Sequence, residues 1–84
     1  MKKSEFRDLY VKHLKVAVEK YPGDYGWNPE ATVDSVVDRL IAVMNRNPWG
    51  VNYNSRGFKS LAKEVGIKPT RKAIVEFFTN CTND

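Results

Sequence analysis

The sequence predicts an all-α fold, a compact bundle of four helices, and three observations predict it. Apolar residues recur three and four apart through four separate stretches. Helix punctuation falls at the ends of those stretches: Pro22-Gly23, Asn28-Pro29, Gly66 and Thr70. No stretch alternates apolar and polar residues with period two, so no sheet is expected. With 84 residues the chain makes one helical domain, 1–84, and nearly all of its apolar residues are needed for a single core.

The first helix is expected over 5–21. Phe6, Leu9, Tyr10, Leu14, Ala17 and Tyr21 form its apolar face, and Pro22 ends it by pushing Tyr21 out of helical geometry. The second is expected over 29–45. Asn28 is its cap, Pro29 its first residue, and Trp27 a staple onto its first turn. Its stripe is Val33, Val36, Val37, Leu40, Ile41 and Met44, with Asp34, Asp38 and Arg39 facing away. The third, over 56–65, is capped by Asn54 or Ser55, buries Phe58, Leu61, Ala62 and Val65, and closes on a left-handed Gly66 with Ile67 packed back. The fourth, over 70–80, starts at a Thr70 cap and buries Ala73, Ile74, Phe77, Phe78 and Cys81. Leu9, Leu14, Val37, Leu40, Leu61, Ile74 and Phe77 are expected to be largely buried.

Enzyme chemistry is not expected, nor is a metal or cofactor. Cys81 is the single cysteine and reads as an inert buried thiol, which fits a reducing compartment. His13, the single histidine, reads as a boundary residue of the first helix. Asp34 and Asp38 share a helix face but have no third ligand, so they read as solvated. The N-terminal stretch mixes charges and lacks the apolar run of a secretory signal, and no segment is apolar enough to span a membrane. A cytoplasmic protein with no membrane partner is therefore expected.

The charge distribution carries the functional expectation. The net charge is +4. Residues 1–45 balance seven basic against seven acidic side chains, whereas residues 46–72 hold seven basic side chains against Glu64 alone. Arg56, Lys59 and Lys63 fall three and four apart, a single stripe on the third helix. Local positive charge of this kind suits phosphate, because each contact releases counterions from a nucleic acid. A solvated coat that keeps a small protein soluble would show the same composition.

The stretch FKSLAKEVGIKPTRKAIVEFF resembles a helix-turn-helix unit. Leu61, Val65 and Ile67 stand where that motif buries residues, with small Ala62 where the helices approach, Gly66 at the turn and Val75 late in the second helix. Lys72 departs from the pattern, since the motif wants a buried aliphatic there. The resemblance implies DNA binding, with Thr70, Arg71 and Lys72 opening a recognition helix, and the basic window adds Arg56, Lys59, Lys63 and Lys68 as nucleic-acid-binding residues. YPGDYGW together with NSRGFKSLAKEVGIKPTRKAI also resembles small uncharacterised proteins of tailed bacteriophages. That likeness implies a viral protein acting in the host bacterial cytoplasm and assigns no site residues.

Tyr21, Tyr25, Trp27, Trp49 and Tyr53 crowd the two long connections. They suit covering the bundle ends, and beside Arg46 and Arg56 they also suit stacking on single-stranded bases. The leading expectation is a non-enzymatic DNA-binding protein acting through residues 46–72. The alternatives are a viral protein that docks on an acidic host-protein surface, and a self-associating structural piece.

Overall fold

A computed structural model of the chain describes residues 1–47, 51 and 56–83. Among them it contains four α-helices: α1 (Lys3–Lys20), α2 (Val33–Arg46), α3 (Arg56–Val65) and α4 (Arg71–Asn80), with a 3-10 turn at Pro22–Tyr25 after α1. The only strand-like pairing among these residues is an isolated bridge between Lys2 and Thr82. The radius of gyration, 12.2 Å, is close to the roughly 12 Å of a compact chain of this length.

α1 is the centre of the bundle. It packs closely against α2, α3 and the 3-10 turn, while the remaining pairs of elements approach at few points. Its helical start is fixed by the Glu5 carboxylate, which accepts from the Lys2 N–H at 3.1 Å. Phe6, Tyr10, Leu14 and Val18 lie almost fully buried along one stripe. Tyr10 stacks on Phe58 of α3 with ring centroids 4.1 Å apart, and Phe6 meets Phe77 and Phe78 of α4 at 5.7 and 5.3 Å. Such pairs add about 0.5–1.5 kcal/mol each beyond the apolar area they bury. From α2, Val36, Val37 and Met44 close the core.

The chain ends meet at α1 and α4. The Lys3 N–H donates to the Thr82 carbonyl at 2.9 Å, and the Thr82 N–H donates to the Met1 carbonyl at 3.0 Å. Lys3 Nζ also donates to the Cys81 carbonyl at 2.7 Å, placing a cation at the negative end of α4. Cys81 is buried, and its thiol donates to the Phe77 carbonyl.

Several expectations need correction. α2 begins at Val33, four residues later than 29, and its cap is Thr32 rather than Asn28. Thr32 Oγ1 accepts from the Ser35 N–H and Ser35 Oγ accepts from the Thr32 N–H, so each side chain satisfies a donor of the other. Asn28 instead opens a tight turn: its side-chain oxygen accepts from Glu30 N–H and its carbonyl from Ala31 N–H. Pro29 therefore occupies the second position of a turn, another site that its fixed φ suits. With the cap moved, Trp27 no longer precedes it and does not staple the first turn; it is exposed. Tyr21 is exposed rather than on the buried face, because its backbone has left helical geometry. Leu9, Leu40 and Phe77 are half-buried rather than largely buried. The buried stripe of α4 runs through Ile74, Val75 and Phe78, so Val75 takes the central place that periodicity assigned to Phe77. Arg39 does not simply face away: its Nη2 donates to the Tyr25 carbonyl at 2.6 Å.

Other expectations hold. Gly66 has φ +77°, and the Ile67 N–H returns to the Ala62 carbonyl at 3.0 Å, the closing bond of a helix C-terminus. Thr70 Oγ1 accepts from the Ala73 N–H and caps α4. The expected α3 cap at Asn54 or Ser55, and the packing of Trp49 and Tyr53, lie outside the described residues.

Candidate nucleic-acid interface

Helix geometry sets the charge on α3. At about 100° per residue, Arg56, Lys59 and Lys63 fall on one side, and Gly57, Phe58, Leu61 and Ala62 on the other. The second group is buried and the first is exposed. Lys68, Thr70, Arg71 and Lys72 are exposed as well.

Two of these seven residues, Arg56 and Lys59, line a common groove. It is open, encloses about 500 Å³ between α1 and α3, and brings them together with side chains of α1. Lys12 and Lys20 complete a cationic rim; Val16, Ala17 and Tyr21 supply an apolar floor. Val16 is more than half exposed there. Lys63, Lys68, Thr70, Arg71 and Lys72 lie outside the groove lining. The Thr70 N–H donates to the Lys68 carbonyl and its hydroxyl caps α4, so its role in the fold is local.

Both ends of the groove are tied. At one end Arg56 lies over the Tyr21 ring, 3.9 Å from its centroid, with its Nε 3.5 Å from Asp24. At the other end Glu64 accepts from Lys12 Nζ at 2.7 Å and sits 3.0 Å from His13 Nε2. The Lys12 hydrogen bond first, then that of His13, holds the Glu64 carboxyl below the 4.5 of a free glutamate. The one acid of the basic window is thus paired with Lys12 and His13 of α1. Between the tied ends, Gly57 lets the backbones close up: a Cβ there would stand 3.1 Å from Leu14 Cδ2. The Gly57 N–H donates to the Tyr25 hydroxyl at 3.0 Å, which fixes the first turn of α3.

No family model, curated protein or solved structure was found to match this chain. Its function is therefore read from the groove and the face beside it.

Among the described residues no three His, Cys, Asp or Glu side chains are grouped to hold a metal ion, and no helix is long and apolar enough to cross a membrane. Asp34 and Asp38 are both exposed. Lys12, His13 and Lys20 were not among the binding residues the sequence pointed to, whereas Tyr21 was, as one of the aromatics suited to stacking. A signal for the two lysines exists: Lys12, Val16 and Lys20 are four apart, which places one apolar residue between two cations on the otherwise polar side of α1.

Proposed function

We propose that this protein binds nucleic acid through the basic face of α3 and the α1 lysines that flank it. The observation that carries the reading is the exposure of Arg56, Lys59 and Lys63 along one side of α3, with Lys12 and Lys20 adding to the same groove. Cations held on two rigid helices present phosphate sites at fixed spacing, and phosphate contacts supply affinity whatever the base sequence. Arg71 and Lys72 are exposed in the first turn of α4. α3 takes the main part in preference to a recognition helix at α4, because α3 packs closely on α1 and the backbones of α3 and α4 approach at few points. Action in a host bacterial cytoplasm belongs to the same proposal.

A titration of labelled DNA at several salt concentrations tests it. Binding should fall linearly on a log–log salt plot. Lys59→Glu with Lys63→Glu should weaken it sharply and reduce the slope by about 0.9 for each duplex phosphate no longer neutralised. The matched control is Lys2→Glu with Lys15→Glu, two α1-side lysines outside the groove lining. Equal behaviour of the two pairs would reduce the positive charge to a solvated coat. No binding by wild type at low salt would leave docking on an acidic protein surface in its place.

A further inference from the structure

Resting on the nucleic-acid reading, we infer that the α1/α3 groove takes an unpaired base, which makes single-stranded nucleic acid the preferred ligand. The groove is not uniformly charged. Its rim is cationic, with Lys20 from α1, Arg56 and Lys59 from α3, and Lys12 already paired to Glu64; its floor is mainly apolar, with Val16, Ala17 and Tyr21, and His13 and Ser60 complete the lining. That division matches a nucleotide strand, whose phosphates are anionic and whose bases are flat and largely apolar on their faces. A free phosphate would use the rim and leave the floor wet. A duplex would do the same, because its bases are paired and stacked inside it and only its backbone reaches a groove between neighbouring helices. A single strand can turn a base inward while its flanking phosphates stay on the rim.

The Tyr21–Arg56 pair supplies the stacking surface. The guanidinium lies 3.9 Å from the ring centroid, and Tyr21 remains 41% exposed. Bases stack on aromatic rings and on guanidinium planes alike, and single-strand binders combine such platforms with a positive groove. Asp24, at 3.5 Å from Arg56 Nε, holds the guanidinium in place from the side of the 3-10 turn.

Fluorescence anisotropy with three probes of equal length tests the inference: an oligothymidylate, an abasic strand and a DNA duplex. The abasic strand keeps the phosphates and lacks the bases. Wild type should prefer the oligothymidylate over the abasic strand by between about fivefold and about a hundredfold, the range that one base–aromatic stack provides. Tyr21→Ala should remove that preference. Tyr21→Phe, which keeps the ring face, should retain it, and so should Trp27→Ala, an exposed aromatic outside the groove lining. Circular dichroism on each variant establishes that it folds. Equal affinity of wild type for the oligothymidylate and the abasic strand would overturn the base-binding inference and leave the phosphate reading standing. Loss of the preference in Trp27→Ala but not in Tyr21→Ala would overturn it too. Failure of all three probes at low salt would overturn the nucleic-acid reading and this inference with it.

Discussion

Substituting Gly57 by alanine tests the contact that sets how closely α3 lies on α1. The added Cβ would stand 3.1 Å from Leu14 Cδ2, 3.6 Å from Leu14 Cα and 3.5 Å from the Tyr25 hydroxyl oxygen. Carbon atoms pack best at about 3.5–4.0 Å, so the first contact is too short by several tenths of an ångström. Leu14 is fully buried and cannot turn aside without moving its own neighbours. Overpacking of this kind costs about 1–3 kcal/mol. Alanine returns at most about 1 kcal/mol through its better helix propensity. The net expectation is a loss of about 1 kcal/mol, which lowers the melting temperature of a domain this size by about 4–8 °C. Urea and thermal unfolding followed by circular dichroism measure both quantities. Gly23→Ala is the companion variant: nothing lies within 4 Å of its Cβ, and it should gain about 0.4–1 kcal/mol through the unfolded chain. A Gly57→Ala protein as stable as wild type, or more so, would refute the claim that α3 and α1 touch at a site that excludes a methyl group.

Two further outcomes follow from local bonding. Thr32→Ala should destabilise by about 0.5–2 kcal/mol, while Asn28→Ala should stay within about 0.5 kcal/mol; urea midpoints compare them, and the reverse order would return the cap of α2 to Asn28. Folding lowers the Glu64 pKa, so the unfolded chain takes up this proton first as pH falls. The contribution of Glu64 to stability is therefore complete above about pH 4.5 and is lost as pH drops through its lowered folded value. Urea unfolding across that range should show wild type and Glu64→Gln converging toward low pH; a constant difference between them would contradict the Lys12 and His13 contacts.

How much of this was legible in the sequence depends on how local each determinant is. α1, α3 and α4 could be placed to within two residues, because apolar spacing, Pro22, Gly66 and Thr70 act within a turn of where they stand. The start of α2 was misplaced for an equally local reason. Asn-Pro suits both a helix cap and a β-turn, and the choice fell to Thr32 and Ser35, whose reciprocal bonds start the helix four residues later and leave Asn28 to the turn. The groove was only half legible. Its α3 side shows as a charge stripe, whereas its α1 side lies in a charge-balanced segment, and only the packing of the two helices joins Lys12 and Lys20 to Arg56 and Lys59. Tyr21 shows why periodicity overreaches at helix ends: its spacing fits the buried face of α1, but the following proline turns the backbone before the ring can reach it.

The central position of α1 has a mechanical consequence for the groove. Because α3 leans on α1 and meets the other helices at few points, the gap between the two is a property of one helix pair. A guest that pries them apart strains the Glu64 ties at one end and the Arg56–Tyr21 contact at the other, and the α1–α2 wall need not yield with it. The close approach at Gly57, one residue from Arg56, adds to the hold at that end. Widening the groove would therefore disturb the core itself, because Phe58, Leu61 and Ala62 on the far side of the same ten-residue helix are fully buried.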